Sequence, residues 1–192
     1  MFQALTRRIL APPAFGLDIS DFTVKFASLR RRGRTVELEH FGEVDIPAGI
    51  VVDGEIKRES DLARVLRDGL KDADGRRFSR RYCVASLPEE KSFVRVLGLP
   101  VLKDEDVAHA VRWEVEGVIP LPFTEIYYDY ELAPQPAGAS DHRDVLITAF
   151  PRAIVESYER AIRSAGLTPL ALELESKAIS RAVVRPDTEA HS

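Results

Sequence analysis

Asp18, Ser20, Thr23 and Lys25 lie within eight residues of one another in FGLDISDFTVKFASL, and their types and order suit the binding of a phosphate. An apolar run ends in a carboxylate, passes through a tight turn with small hydroxyl side chains, and restarts as a second strand. In that order Asp18 can hold a metal-bound water, which makes it a weak metal-site candidate. The turn's backbone N–H groups and hydroxyls, with Lys25, can face phosphate oxygens. Such a device has a second half, an opposing turn, and none follows in this chain. Ser20 puts a Cβ where backbone and phosphate meet closely, and Asp21 brings an anion toward another anion, so both weigh against a nucleotide.

Other chemistry is scarce. His40, His109, His142 and His191 are dispersed without ligand spacing, and no serine or cysteine nucleophile has a base at a recognisable distance, so catalytic residues are expected to be none. His109, on a helix with charged neighbours, should face solvent. The single Cys83 sits in the apolar run YCVASL, which excludes a disulfide framework and fits a buried, unreactive thiol in a reducing compartment. The 45% apolar and 30% charged composition is that of a globular chain. A net charge of −4 gives no electrostatic case for nucleic acid, despite arginines at 30, 31, 32, 34, 76, 77, 80 and 81, which are expected to solvate turns. No apolar run approaches the roughly 20 residues a bilayer-crossing helix needs. Phe2, Leu5 and Ile9 beside Arg7 and Arg8 could brush an anionic membrane, but a frayed tail over residues 1–14 is the better reading of so short a segment.

The elements that must position these residues follow from patterning. Strands are expected at Phe15–Ile19, Phe22–Arg31 and Thr35–Ile46, joined by a tight turn and by a turn at Gly33, as an antiparallel meander. After a loop with Pro47, Gly49, Asp53 and Gly54, Ser60 should cap a helix with Leu62, Val65, Leu66 and Leu70 on one face. Residues 82–88 read as a buried strand and KSFVRVLGLP as another. Asp104–Glu116 reads as a helix with Val107, Val111 and Val115 spaced by four and Gly117 at its end. Pro120 and Pro122 then force IPLPF into an extended, stiff path, with Ile119, Leu121 and Phe123 as apolar side chains on a candidate docking rim. Strands at Ile126–Leu132 and Val145–Phe150 flank an exposed connector, APQPAGASDHR. A helix opening at Pro151 and closing at Gly166 carries Ile154, Val155, Tyr158, Ala161 and Ile162. A strand in PLALEL, a helix from near Ser176 and a loose tail over residues 185–192 complete the chain.

In this order, FGLDISDFTVKFASL, IVVDGEIKRESDLARVLRDGLK, VASLPEEKSFVRVLGLP, VRWEVEGVIPLPFTEIYYDYEL and VLITAFPRAIVESYERAIRSAGLTPLALELESKAISRA resemble the PilM-type pilus assembly proteins, actin-like relatives of the cell-division protein FtsA. The resemblance covers nearly everything from Phe15 to Ala182, and Arg112, Trp113 and Glu114 followed by Ile119, Pro120 and Pro122 carry most of its specificity.

It implies an α/β fold with a mixed sheet: an actin-like, ribonuclease H-like first lobe with a small inserted βαββα subdomain. The implied boundaries are 15–87 with 168–184 for actin-like subdomain 1A, and 88–167 for inserted subdomain 1C. It further implies a cytoplasmic adaptor at the inner-membrane platform of type IV pili, peripheral to the membrane through its partners. The cleft between the two subdomains would hold the N-terminal peptide of a PilN-type membrane protein, with Trp113, Glu114, Ile119, Pro120 and Phe123 as framework and docking surface. The alternative is an ATPase completed by a second lobe or a partner chain, with ATP and magnesium at Asp18, Ser20, Thr23 and Lys25; without that lobe no cofactor is expected. A further alternative, an FtsA-like division protein, lacks the C-terminal amphipathic helix expected there. The unmatched faces of a single lobe would also invite self-association or a second-lobe chain.

Overall fold

The computed structural model describes residues 12–33, 35–71, 75, 78–133 and 142–184. Residues 1–11 of the expected N-terminal tail, the expected C-terminal tail, most of the connector after Leu132, and Arg34, Arg76 and Arg77 lie outside them, while Ala14, expected in the tail, opens the first strand. The chain divides into two compact units, one formed up to Pro88 and again from Ser157, the other by Glu89–Glu156.

In the first unit, β1 (Ala14–Ile19), β2 (Thr23–Arg32) and β3 (Thr35–Asp45) form the expected meander. β6 (Tyr82–Leu87) and β10 (Thr168–Leu174) add to β1 in parallel, giving the mixed order β10-β6-β1-β2-β3. Period-two alternation decides which face is buried: Phe15, Leu17, Ile19, Val24, Phe26, Cys83 and Ala85 are all buried, while their neighbours Gly16, Asp18, Lys25, Val84 and Ser86 are not. The helices α1 (Glu59–Gly69) and α3 (Arg152–Ser164) bury Leu62 and Leu66, and Tyr158, Ala161 and Ile162, in the same unit. Within this unit Arg160 clamps Glu59 with two hydrogen bonds, and Arg67 donates to the Ser164 carbonyl at the end of α3. The last helix, α4 (Glu175–Val183), buries no residue fully.

Two local expectations are corrected. Helix α1 begins at Glu59 with Arg58, not Ser60, at its N-cap. The Arg58 side chain instead donates to the carbonyls of Ala48 and Gly49, and no side chain caps the helix. The loop before it contains a miniature hairpin, β4 (Val51–Val52) and β5 (Glu55–Ile56), turned by Asp53 and Gly54 at φ of 50° and 70°. An Asp-Gly pair at positive φ is the two-residue turn that suits hairpin twist. The α3 end is as expected: Gly166, at φ 85°, donates to Arg163, and Leu167 to Ile162.

The second unit is a three-stranded antiparallel sheet, β7 (Phe93–Pro100), β9 (His142–Pro151) and β8 (Ile126–Leu132) in the order β7-β9-β8, with α2 (Asp104–Val118) packed on it. Val107, Val111 and Val115 of α2 meet Leu99, Ile126, Val145, Ile147 and Ala149 in one core. Spacing by four puts the three valines on one side of the helix, and the buried strand residues on that side alternate with less buried ones, as Val145, Ile147 and Ala149 do with Leu146 and Thr148. The helix runs one residue past Gly117, and the strand β9 runs through Pro151, so α3 opens at Arg152.

Candidate functional site

The hairpin joining β1 to β2 holds itself closed. The Ser20 N–H donates to the Thr23 carbonyl at 2.9 Å, and the Ser20 hydroxyl accepts the Thr23 N–H at 3.1 Å and lies 3.2 Å from the Thr23 hydroxyl. Both small hydroxyls are thus engaged with each other across the turn. Asp21 turns to the neighbouring miniature hairpin, where its carboxylate accepts the backbone N–H groups of Asp53 at 2.7 Å and Gly54 at 2.9 Å. Asp21 thus has a structural task of its own, holding the miniature hairpin through two amide donors, while its negative charge stays beside the turn.

Asp18 and Lys25 stand directly opposite each other on β1 and β2, on the face away from the core. They line an open groove of about 580 Å³ between the sheet and α4, together with Gly16, Ser86, Glu173 and Ile179. The Ser86 hydroxyl donates to Asp18 at 2.5 Å. Ser20 and Thr23 do not line this groove. The sequence-predicted phosphate residues thus separate into a groove pair and a turn pair. Lys25, Asp18 already hydrogen-bonded to Ser86, and Glu173 paired with Arg181 do not by themselves make a magnesium–nucleotide site. Among the described residues no three His, Cys, Asp or Glu side chains gather as metal ligands. Ser86 and Glu173 escaped the sequence reading, although alternation in YCVASL already placed Val84 and Ser86 opposite the buried Cys83 and Ala85.

Cys83 is fully buried, and burial pushes its thiol up to about 11, so it stays protonated and inert at neutral pH.

The predicted partner-binding residues all belong to the second unit. Trp113, the sole tryptophan, is 78% exposed on α2. It follows Arg112, whose guanidinium lies 4.5 Å over the Phe123 ring, while Phe123 in turn sits 5.2 Å from the Tyr128 ring. Pro120 is exposed and Glu114 half-buried. Ile119 is only 6% exposed and part of the core, a position that suits the framework share of its expected role, bracing the rim. Pro122 opens a short 3-10 turn, Phe123–Glu125, which fixes the exit from the extended segment. The arrangement is a rigid rim with a projecting indole, built from α2 and the turn that follows.

A family model described as type IV pilus assembly protein PilM matches residues 16–189. The chain belongs to that family. Among solved structures, a PilM–PilN type IV pilus biogenesis complex is similar at a TM-score of 0.76 and 24% identity over 88% of this chain and 49% of that one. The cytoplasmic domain of EpsL, an inner-membrane component of the type II secretion system of Vibrio cholerae, is similar at 0.52 and 10% identity, over 90% of this chain and 60% of that one. The chain spans about half the length of the chain it matches in the PilM–PilN complex. These likenesses fit the mixed α/β, actin-like fold expected of the PilM family.

Proposed function

We propose that this PilM-family chain is a cytoplasmic adaptor of the type IV pilus inner-membrane platform, receiving the N-terminal peptide of a PilN-type membrane protein on its second unit. The observation that carries the reading is the 78% exposure of Trp113 beside a proline-stiffened rim. A large aromatic left in water on a rigid surface is the usual centre of a recognition site, because covering it gains apolar burial at little cost in side-chain order. Half-buried Glu114, one residue on, suits a basic group on the same peptide. The similar PilM–PilN complex is consistent with a partner of this kind.

In this reading the actin-like subdomain 1A comprises 15–87 with 168–184, the inserted subdomain 1C comprises 88–167, and the protein is held at the membrane through its partner. Among the described residues no helix is long and apolar enough to cross a membrane. A second reading, ATP with magnesium at Asp18 once a second lobe supplies the remaining donors, draws on the placement of Asp18 and Lys25 in one groove. Calorimetry separates the two. The adaptor reading expects heat with a PilN-type N-terminal peptide, whereas heat with magnesium-ATP that disappears in Asp18→Ala favours the second reading.

A further inference from the structure

Arginines scattered through the sequence converge on one end of the five-stranded sheet. β1 runs antiparallel to β2 with Gly16 opposite Ala27, and parallel to β6, which runs parallel to β10. The starts of β1, β6 and β10 therefore share an end with the finish of β2. Arg30, Arg31 and Arg32 close β2, and Arg80 and Arg81 lead into β6. Arg67, in the last turn of α1, lines a cavity of about 530 Å³ with Arg80, Arg81 and the Gly166–Leu167 approach to β10. Among the described residues Asp68, Glu37 and Glu39 are carboxylates at this end; Glu37 pairs with Arg32, and Glu39 is shared by Arg30 and Arg80. The opposite end carries Asp18, Asp21, Asp45 and Asp53 against Lys25 and Lys57. Within a chain of net charge −4, the described arginines of this unit's sheet are thus concentrated at one end.

The same end is also apolar. β2 pairs with β1 only as far as Ala27, so the remainder of the β2–β3 hairpin projects as a two-stranded arm. On one face of that arm Leu29 lies opposite Leu38 and Arg31 opposite Val36. Leu29, Leu38 and Val36 are 59%, 55% and 61% exposed, and Tyr82 and Leu170, near the starts of β6 and β10, are exposed as well.

We propose that this end of the first unit binds the surface of an anionic phospholipid bilayer directly. Guanidinium groups reach lipid phosphates bidentately, and exposed aliphatic side chains gain by entering the headgroup region. Nucleic acid would satisfy the arginines but leave Leu29, Val36 and Leu38 with nothing to cover them, since single-strand platforms use stacking aromatics. A second copy would bring like charges together.

The test is flotation of the full chain with vesicles of phosphatidylcholine alone and of phosphatidylcholine with phosphatidylglycerol. Binding is expected only to the anionic vesicles, weakening as salt rises. Arg31→Ala and Arg81→Ala should each lower partitioning about fivefold. Leu29→Ser with Leu38→Ser should lower it while leaving the salt dependence unchanged. Lys57→Ala, at the other end of the unit, should bind as the parent does. All of these positions are exposed, and matching circular dichroism spectra establish that each variant is folded. Equal binding to both vesicles, no binding to the anionic ones, retention of parental binding by the arginine variants, or capture by duplex DNA in place of vesicles would overturn the proposal.

Discussion

Asp21 and Gly54 are 33 residues apart in the chain, yet the Asp21 carboxylate accepts the Gly54 N–H at 2.9 Å. On its other side the Gly54 carbonyl accepts the hydroxyl of fully buried Tyr158 at 3.1 Å. The phosphate-like turn, the miniature hairpin and α3 are therefore fastened through one residue, Gly54. Asp21→Ala, which strands two amide donors, should cost about 1.5–3 kcal/mol of stability, and Tyr158→Phe about 1 kcal/mol, read by urea unfolding.

Gly69 reverses an ordinary rule. Replacing a helical glycine by alanine normally stabilises, by up to about 1 kcal/mol in a helix interior; Gly69 is the last residue of α1. Here a Cβ would come 2.4 Å from Cγ1 of Val44, so Gly69→Ala should instead destabilise by about 1–3 kcal/mol. Gly69→Ala combined with Val44→Ala should recover part of the loss, because the clash is gone; a stabilised single variant would remove the account of α1 packing.

The Glu59–Arg160 pair makes a prediction about pH. The Arg160 hydrogen bonds hold the Glu59 carboxyl below its ordinary value of 4.5, against an opposing effect of desolvation. A carboxylate lowered in the folded state contributes stability above its unfolded value, and that contribution is lost as pH falls through the folded one. Both side chains are substantially exposed, so the pair is worth less than about 1 kcal/mol. Arg160→Ala should thus lower the urea midpoint slightly at pH 7, and the difference from the parent should vanish as the pH falls through the lowered folded-state value of Glu59.

The Cys83 thiol, pushed up to about 11 by burial, should resist alkylation in the native protein at pH 8 and react on unfolding. Rapid labelling of the folded protein, followed by mass spectrometry, would contradict its place in the core.

Strands and helices with strong periodicity were legible in the sequence: the three valines of α2 and the alternation in YCVASL each name a buried face. The α1 cap was not, because Arg58 folds back to carbonyls nine and ten residues upstream, a contact that cap chemistry at Ser60 does not foretell. The miniature hairpin was overlooked although Asp53-Gly54 signals it, since strands of two residues carry no periodicity. At the candidate sites, sequence order put Asp18, Ser20, Thr23 and Lys25 together, while strand alternation sends Asp18 and Lys25 to the groove and leaves Ser20 and Thr23 bonded to each other. Ile119 looked like part of an exposed rim because the prolines fix its backbone; which side its side chain takes depends on packing against α2 and its sheet.

Trp113 allows the adaptor proposal to be tested in a single titration, since it is the only tryptophan in the chain. The full chain and its Trp113→Ala and Phe123→Asp variants would be titrated calorimetrically with an N-terminal PilN-type peptide, while the parent's tryptophan emission is followed in parallel. The account predicts saturable heat and a blue-shifted emission as the indole is covered, with affinity lowered about tenfold or more in each folded variant. Binding of undiminished affinity in both variants with no change in emission, or no binding by the parent, would contradict it.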